Sequence, residues 1–328
     1  MTTTITKYAL KLVTASNTCQ QVTKKSASSN CFKQFFTNKN NRLAKFVNMS
    51  SGLDKTFKCG KSVSELALGI LQETGGSAEA IKLAQNSLNL TKTARDVMAL
   101  GNVFNGAIPG CVTSTQKCCS LLKQCFSSSP AYKYPTNDAF VLPKDFMVLR
   151  SDFALAAAKE ACSAVGALTF SLSFGVLKPT LLVNKIAPTP FLGSKEKEGL
   201  GMGVSTLMAA NHVSGVLGGA LSIVTERRAY LRGRALLMAA PNNEEEGVSC
   251  NVDDIEKASQ ALRSSYIGGI KKAILTIIEK GLEFIADILK LIPFPMSAAC
   301  NLACVGALTT GSSLLGIYKI WQSAGASK

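Results

Sequence analysis

Histidine is almost absent from this chain, since the only one among 328 residues is His212. A single imidazole leaves little capacity for general acid–base catalysis near neutral pH. The eleven cysteines include no C-x-x-C pair, whereas a structural zinc site needs four Cys or His ligands at close, paired spacing. Because the number of cysteines is odd, they cannot all pair within one chain. We interpret them as small apolar side chains in a reducing compartment, and we expect no metal site.

Motifs of nucleotide-binding proteins and hydrolases are also missing. The chain has no Walker A sequence and no G-x-S-x-G motif. Gly199, Gly201 and Gly203 resemble the start of a dinucleotide-binding loop, but Val204 stands where the third glycine is required and no strand precedes the segment. We therefore predict that the chain is not an enzyme and that it uses no cofactor.

Acidic residues are scarce in the first part of the chain, where none precedes Asp54. Residues 1–150 contain 19 Lys and Arg against 7 Asp and Glu, whereas residues 151–328 contain 17 against 14. A basic region beside apolar segments is suited to anionic lipid headgroups or to nucleic acid. Aromatic residues are few and the lysines are scattered, so the stacking platform that single-stranded nucleic acid requires is missing. We expect no nucleic-acid partner.

Charged residues make up only 17% of the chain, hydrophobic residues 47%, and the mean hydropathy is positive. Soluble domains carry about 25% charged residues. Three long, strongly apolar stretches contain no charge: residues 161–177, 199–225 and 291–318. A helix needs roughly 20 apolar residues to cross a bilayer, so the second and third stretches are long enough and the first is near the lower limit. We predict an integral membrane protein, with two or three spans left open.

The first two stretches lie a short loop apart and predict a transmembrane helical hairpin, with residues 151–225 as its bounds. Small residues recur along the second stretch, and we expect Gly201, Gly203, Gly215 and Gly219 to let the first stretch pack closely against it. The alternative is that glycine merely accumulates in membrane helices.

Asn211, His212 and Ser214 form a polar group within the second stretch. Ionisable residues at membrane depth are functional candidates by default. The alternative is a neutral imidazole that is hydrogen-bonded across the hairpin. A proton or ion path needs more such groups than the neighbouring apolar segments provide.

Basic residues follow the second stretch at Arg227, Arg228, Arg232 and Arg234. Lys and Arg near the end of a span favour the side that is not translocated. The hairpin loop itself carries lysines, so the bias is modest. We predict that both ends of the hairpin lie on the cytosolic side.

Outside the hairpin, the sequence predicts a polar, disordered leader at residues 1–30, a helical cytosol-facing region at 31–126 and a linker at 127–150. Capping boxes at Ser62 and Thr93 predict helix starts, Gly75 predicts a helix end, and Pro109 predicts an interruption. The leader has no uninterrupted apolar core of the kind that a Sec signal peptide needs. Its composition is typical of type III secretion substrates, with an untethered terminus or a transit peptide as alternatives.

The C-terminal part is predicted to contain a charged linker at residues 226–266 and then an amphipathic helix and a third apolar segment at 267–328. Isoleucines recur at helical spacing over residues 270–292, and charged residues fill the other face. This helix is expected to lie on the membrane surface or to pack on the N-terminal helices. Pro293 and Pro295 should end it.

An ordered set of short blocks resembles the inclusion membrane proteins of chlamydiae. The blocks run from about residue 31 to beyond 315: Phe35-Phe-Thr-Asn38, Arg42-Leu-Ala-Lys45, Gly52-Leu-Asp-Lys-Thr56, Ala99-Leu-Gly-Asn102, Phe104-Asn-Gly106, Val183-Asn-Lys185, Pro190-Phe-Leu192, Met208-Ala-Ala-Asn-His212 and Leu289-Lys-Leu-Ile-Pro293. The resemblance implies type III secretion and insertion of a two-lobed hairpin into the vacuole membrane, with both flanks in the host cytosol. The third apolar stretch departs from that two-lobed design.

Taken together, the sequence pattern predicts an all-α, membrane-inserted protein, and the resemblance implies a virulence effector that acts at the boundary between the bacterial vacuole and the host cytosol. Host-factor interaction or scaffolding is the expected role, and a membrane-remodelling or pore-forming helical bundle is the alternative. The expected partners are a lipid bilayer and host cytosolic proteins, with a homo-oligomer left open. A location in the bacterial membrane is the alternative to the inclusion membrane.

Overall fold

The protein is described by a computed structural model that covers residues 50–126, 150–239 and 252–326. These residues form six helices and no strand, and 93% of them are helical. The all-α fold predicted from the sequence is confirmed. The predicted leader at 1–30, residues 31–49 and nearly all of the 127–150 linker lie outside the described residues.

The six helices follow one another with short connections where these are described. Their bounds are α1, Ser50–Glu73; α2, Ala78–Asn102 continued by Val103–Ala107 and Ile108–Phe126; α3, Arg150–Leu172 continued by Ser173–Leu177 and Lys178–Ile186; α4, Ser194–Ala239; α5, Val252–Leu291; and α6, Ala298–Ala326. The predicted hairpin corresponds to α3 and α4, and the predicted amphipathic helix corresponds to the second half of α5.

The turn between α1 and α2 is built by a glycine and a serine. Gly75 has a positive φ of 72°, which ends the run of helical backbone after α1. Ser77 is the N-cap of α2, and its side chain accepts a hydrogen bond from the Ala80 amide. The predicted capping boxes were wrong. Ser62 and Thr93 lie inside helices, where their hydroxyls donate to the carbonyls of Lys58 and Asn89 at 2.8 and 2.9 Å.

The two internal prolines of α2 and α3 do not end their helices. A π-helical turn, Val103–Ala107, precedes Pro109, and a second one, Ser173–Leu177, precedes Pro179. Proline lacks the N–H that would continue the regular ladder of hydrogen bonds, and a widened turn next to it accommodates the change. The interruption predicted at Pro109 is therefore a local π-helical turn within one continuous helix.

The helices extend further into residues 226–266 than predicted. α4 continues to Ala239 and α5 begins at Val252, which leaves only residues 240–251 between them. In contrast, the third apolar helix begins at Ala298, later than the predicted residue 291, because Pro293 and Pro295 lie in the preceding connection. The Ser297 hydroxyl accepts a hydrogen bond from the Cys300 amide at 2.9 Å and caps α6.

Three of the six helices are long and apolar enough to cross a membrane. The candidate spans are Ser151–Lys185 in α3, Ser194–Ala235 in α4 and Ala298–Ser323 in α6. They correspond to the three charge-free stretches of the sequence, and they indicate association with a membrane.

The described residues divide into two compact units. One contains residues 119–126, 150–159, 219–239 and 252–274, and the other contains residues 50–118, 160–218 and 275–326. In the first unit, Tyr230 of α4 stacks on Tyr266 of α5 with ring centroids 4.5 Å apart. The second unit holds the whole of the α6 span and the larger part of the α3 and α4 spans. It also contains the candidate site.

Within the second unit, α1 and α6 approach each other at two glycines. A Cβ atom on Gly306 would lie 2.7 Å from the Cα atom of Leu66, and one on Gly69 would lie 2.6 Å from the carbonyl oxygen of Ala299. Real Cβ atoms do not make contacts this short with backbone. The contact between α1 and α6 therefore depends on having no side chain at these two positions.

We predict that Gly306→Ala destabilises the protein by about 1–3 kcal/mol, because the new methyl group forces two backbones apart. Gly101→Ala in α2 is the control, since open space surrounds that position. It should leave stability unchanged or raise it by up to about 1 kcal/mol. Denaturant unfolding in detergent micelles, followed by circular dichroism, measures both variants. Equal stability of the two variants would show that the α1–α6 contact is not tight.

Candidate functional site

The second unit encloses a group of charged side chains where an apolar core would be expected. We call it the buried charge cluster, and it comprises Lys55 and Lys58 of α1, His212 of α4, Glu279, Glu283 and Asp287 of α5, and Ser312 and Lys319 of α6. Four helices contribute to it. The three carboxylates lie at positions 279, 283 and 287, four residues apart, so they form one stripe along α5.

Glu283 lies at the centre of the buried charge cluster, and only 2% of its surface is exposed. Its carboxylate accepts hydrogen bonds from Lys58 Nζ and, at 2.6 Å, from the Ser312 hydroxyl. The Nε2 atom of His212 lies 2.6 Å from its other oxygen, which also accepts from Lys280 Nζ at 3.0 Å. One carboxylate therefore joins α1, α4, α5 and α6.

His212 lies between two carboxylates of α5. Its Nε2 atom faces Glu283, and its Nδ1 atom lies 2.7 Å from Oδ2 of Asp287. A neutral imidazole carries one N–H and donates only one hydrogen bond. For both contacts to be hydrogen bonds, either the ring carries two protons or one of the carboxylates holds a proton. The partners of His212 thus lie on α5, whereas the sequence suggested a partner across the hairpin.

A second arm of the cluster is formed by Glu279. Its carboxylate binds Lys55 of α1 and accepts a hydrogen bond from Lys319 Nζ of α6 at 2.8 Å. Lys319 also donates to the hydroxyl of Thr276 at 2.8 Å. The pairing of lysines from two different helices with one glutamate ties α1 and α6 to the same side of α5.

The lysines of α1 are affected by their burial. Burial lowers the pKa of Lys58 to about 7, although the Glu283 carboxylate beside it favours the charged form. Burial likewise lowers the pKa of Lys61 to about 8, against the opposing effect of Glu65, which lies 2.7 Å away. These lysines hold their charge less firmly than lysines in water do, because the neighbouring carboxylates only partly offset the loss of hydration.

The polar residues next to His212 face the other helix of the hairpin. Asn211 donates a hydrogen bond from Nδ2 to the carbonyl oxygen of Gly166 in α3 at 2.6 Å. Ser214 is buried, and its hydroxyl donates to the Ala210 carbonyl of its own helix at 2.9 Å. The three residues therefore point in two directions: Asn211 towards α3 and His212 towards α5.

The four glycines predicted to pack helices have different surroundings. A Cβ atom on Gly203 would lie 3.3 Å from the Leu177 side chain of α3, which places this glycine at the hairpin contact. Gly215 instead faces Lys280 of α5, whose Cγ atom would lie 2.8 Å from an added Cβ atom. Gly219 is buried, and nothing lies within 4 Å of the corresponding position at Gly201.

The arginines after the second stretch divide into two pairs, both in the first unit. Arg228 and Arg232 bind the Asp152 carboxylate at the start of α3, with an Arg228 Nη1 to Oδ1 distance of 3.2 Å. Arg227 and Arg234 are exposed. The first pair joins the two ends of the hairpin. The predicted topology depends on positive charge at this end of α4, and Arg227 and Arg234 supply it at exposed positions.

The chemistry of the buried charge cluster is ionic pairing. Each of its three carboxylates lies within hydrogen-bonding distance of a lysine or of His212. Over the described ranges, no three His, Cys, Asp or Glu side chains are placed to hold a metal ion. The cluster is suited to fixing four helices in one register.

Sequence reasoning identified His212 but missed its partners on α5. Glu279, Glu283 and Asp287 appeared in the sequence as the polar face of an amphipathic helix, which is normally exposed to water. The available signal was their spacing of four residues on one face of α5, together with Lys55 and Lys58, which lie three residues apart on one face of α1. No protein-family model, curated protein or solved structure matches this chain.

We predict that Glu283→Ala destabilises the second unit by about 3–5 kcal/mol, because the buried cations around it lose their counter-charge. Glu283→Gln should cost less, since the amide keeps the shape and still accepts from Ser312. Glu198→Ala is the control, because Glu198 is exposed, and it should change stability by about 0.5 kcal/mol or less. Denaturant unfolding in detergent micelles provides the comparison. A Glu283→Ala variant as stable as the control would mean that the cluster does not hold the helices.

Proposed function

We propose that this chain is a type III secreted inclusion membrane protein that acts at the boundary between the bacterial vacuole and the host cytosol. The proposal is that it anchors itself by its apolar helices and recruits or scaffolds host factors. The observation that carries it is the hairpin of α3 and α4. Two apolar helices joined by the short connection at residues 187–193 form the two-lobed anchor that the resemblance implies.

The internal contacts of the hairpin support its role as an anchor. Asn211 binds the Gly166 backbone, and Gly203 lies against Leu177, so polar and small residues of α4 face α3. In lipid, small residues and interhelical hydrogen bonds are what hold neighbouring helices together. The polar composition of residues 1–30 supports the secretion route.

Among the described helices of the predicted cytosol-facing region, α2 has the surface best suited to bind a host protein. Within the predicted cytosol-facing region, α1 packs on α5 and α6 through its lysines and glycines, and α2 carries the longer row of exposed apolar side chains. More than half of the surface of four apolar residues there is exposed, at seven-residue spacing: Leu83, Leu90, Val97 and Phe104. A stripe with this period suits a helix presented by a partner.

The alternative of a pore-forming bundle has less support. Charged groups inside a membrane bundle can line an ion path. In the buried charge cluster, however, the lysines and carboxylates pair with one another instead of facing an open channel. A scaffolding role needs only that these pairs hold the helices together.

The location of the protein tests this proposal. A full-length copy with an epitope inserted in residues 127–149, between α2 and α3, is imaged in infected cells against a marker of the vacuole rim. We expect the signal to form a ring at the rim, and the epitope to be accessible to antibody after the host plasma membrane alone is permeabilised.

Signal confined to the bacterial envelope would overturn the host-facing role. A copy from which the leader, residues 1–30, has been deleted is the matched control. It should be retained inside the bacteria if export depends on the leader, while its apolar helices remain unchanged.

A further inference from the structure

The second half of α5 has its polar face inside and its apolar face outside. Glu279, Glu283 and Asp287 are buried, whereas Ile278 and Ile285 are 45% and 50% exposed. A helix on the surface of a water-soluble protein shows the opposite arrangement, with its isoleucines against the core. The exposed side of this helix is therefore suited to an apolar medium.

The contacts of α5 place this segment level with two candidate membrane spans. Its neighbour α4 contributes His212, near the middle of the span Ser194–Ala235, to Glu283 and Asp287. Its neighbour α6 contributes Ser312, near the middle of the span Ala298–Ser323, to the same glutamate.

α5 and α6 also contact each other near both ends of the α6 span, in the same register as at Ser312. Asn301 donates to the Leu289 carbonyl at 3.1 Å, and Lys319 donates to the hydroxyl of Thr276 at 2.8 Å. Because α6 pairs with α5 from one end of its span to the other, the two helices run antiparallel over that whole length. If α4 and α6 cross a bilayer, residues 276–289 of α5 lie at the same depth.

The length and the flanks of the segment fit a bilayer. Residues 273–289 extend over about 25 Å at 1.5 Å per residue, which is near the lower limit for a span. The exposed residues within this segment are Ile274, Ile278 and Ile285. Exposed lysines flank it, with Lys271 and Lys272 before it and Lys290 after it. Lysines at these positions reach the headgroups on either side of the hydrocarbon layer.

We propose that residues 273–289 of α5 cross the bilayer as a fourth membrane helix, with the isoleucines in contact with lipid acyl chains. Its charged residues keep it from being recognised as a span by composition, because an unpaired charge at the centre of a membrane helix is costly. Here each of the three carboxylates faces the interior of the bundle and binds a lysine or a histidine. Charges that are paired inside a bundle are the form in which membrane helices tolerate them.

The fourth span changes the topology of the chain. With α3, α4, α5 and α6 all crossing, the connection at residues 292–297 lies on the same side as the hairpin connection at 187–193. The C-terminus then returns to the side of residues 240–251. With three spans, both assignments are reversed. This inference concerns only the path of the chain, and it holds in whichever membrane the protein resides.

Protease-site mapping of the full-length chain decides between the two topologies. One recognition sequence is inserted at a time in residues 187–193, in 240–251, in 292–297 or after Lys328, and sealed membrane vesicles carrying the protein are treated with the impermeant protease. We expect 292–297 to be cleaved or protected together with 187–193, and the C-terminal site together with 240–251. A 292–297 site that behaves like the 240–251 site would overturn the proposal, as would four sites that are all cleaved alike.

A matched pair of lysine substitutions tests the lipid-facing stripe itself. Ile285→Lys places a charge among acyl chains if the proposal holds, and Val112→Lys places the same charge on α2, where 53% of the valine surface is exposed. We expect Ile285→Lys to lower the fraction of chains with the four-span pattern several-fold and Val112→Lys to leave it unchanged. Equal behaviour of the two variants, whether both are tolerated or both are impaired, would contradict an isoleucine stripe in lipid. The location of the protein at the vacuole rim is decided separately by imaging of the epitope-tagged copy, which carries neither lysine substitution.

Discussion

The carboxylate of Glu283 is the interaction on which the arrangement of the second unit depends. It is buried, and groups from α1, α4 and α6 as well as its own helix surround it. A buried carboxylate is tolerated only when its charge and its lone pairs are satisfied, and here lysine, histidine and serine satisfy them together. Each of these helices is thereby fixed in rotation and in register relative to α5. Apolar contacts alone would define that register less sharply, because leucine and isoleucine pack in many similar ways.

Burial of this cluster determines what the rest of the bundle exposes. With the charged stripe of α5 turned inward, the isoleucines at 274, 278 and 285 are left outside. In water this arrangement would leave apolar surface unburied. In a bilayer it costs little, because the driving force that buries apolar side chains in water is absent there. Pairing the charges inside the bundle therefore requires the isoleucines of α5 to be exposed, and a bilayer accommodates that exposure.

The sequence predicted those features of the fold that depend on composition and local pattern. Charge-free stretches located α3, α4 and α6, and the periodic isoleucines with Pro293 located α5 and its end. The capping patterns at Ser62 and Thr93 gave wrong helix starts, because both residues lie inside helices that had already begun. There, each hydroxyl donates a hydrogen bond to a carbonyl of the preceding turn instead of capping a helix. Pro109 did not break α2, because a π-helical turn took up the change.

Which side chains contact His212 depends on how the helices pack. An amphipathic pattern shows that a helix has two faces, but it does not show which face is turned inward, since that depends on the surrounding solvent. Glu283 and Asp287 follow His212 by more than seventy residues, and only the packing of α4 on α5 brings them together. The same holds for Gly215, which was expected against α3 and lies against Lys280.

The depth of a single tryptophan in vesicles tests the inside-out packing most directly. The chain has one tryptophan, so Trp321→Phe combined with Ile285→Trp moves the only indole to the exposed face of α5. In vesicles with bromine atoms deep on the acyl chains, the packing described here predicts strongly quenched, blue-shifted emission that aqueous acrylamide barely affects. Emission that is quenched by acrylamide and unaffected by the brominated lipid would place this face in water and contradict it.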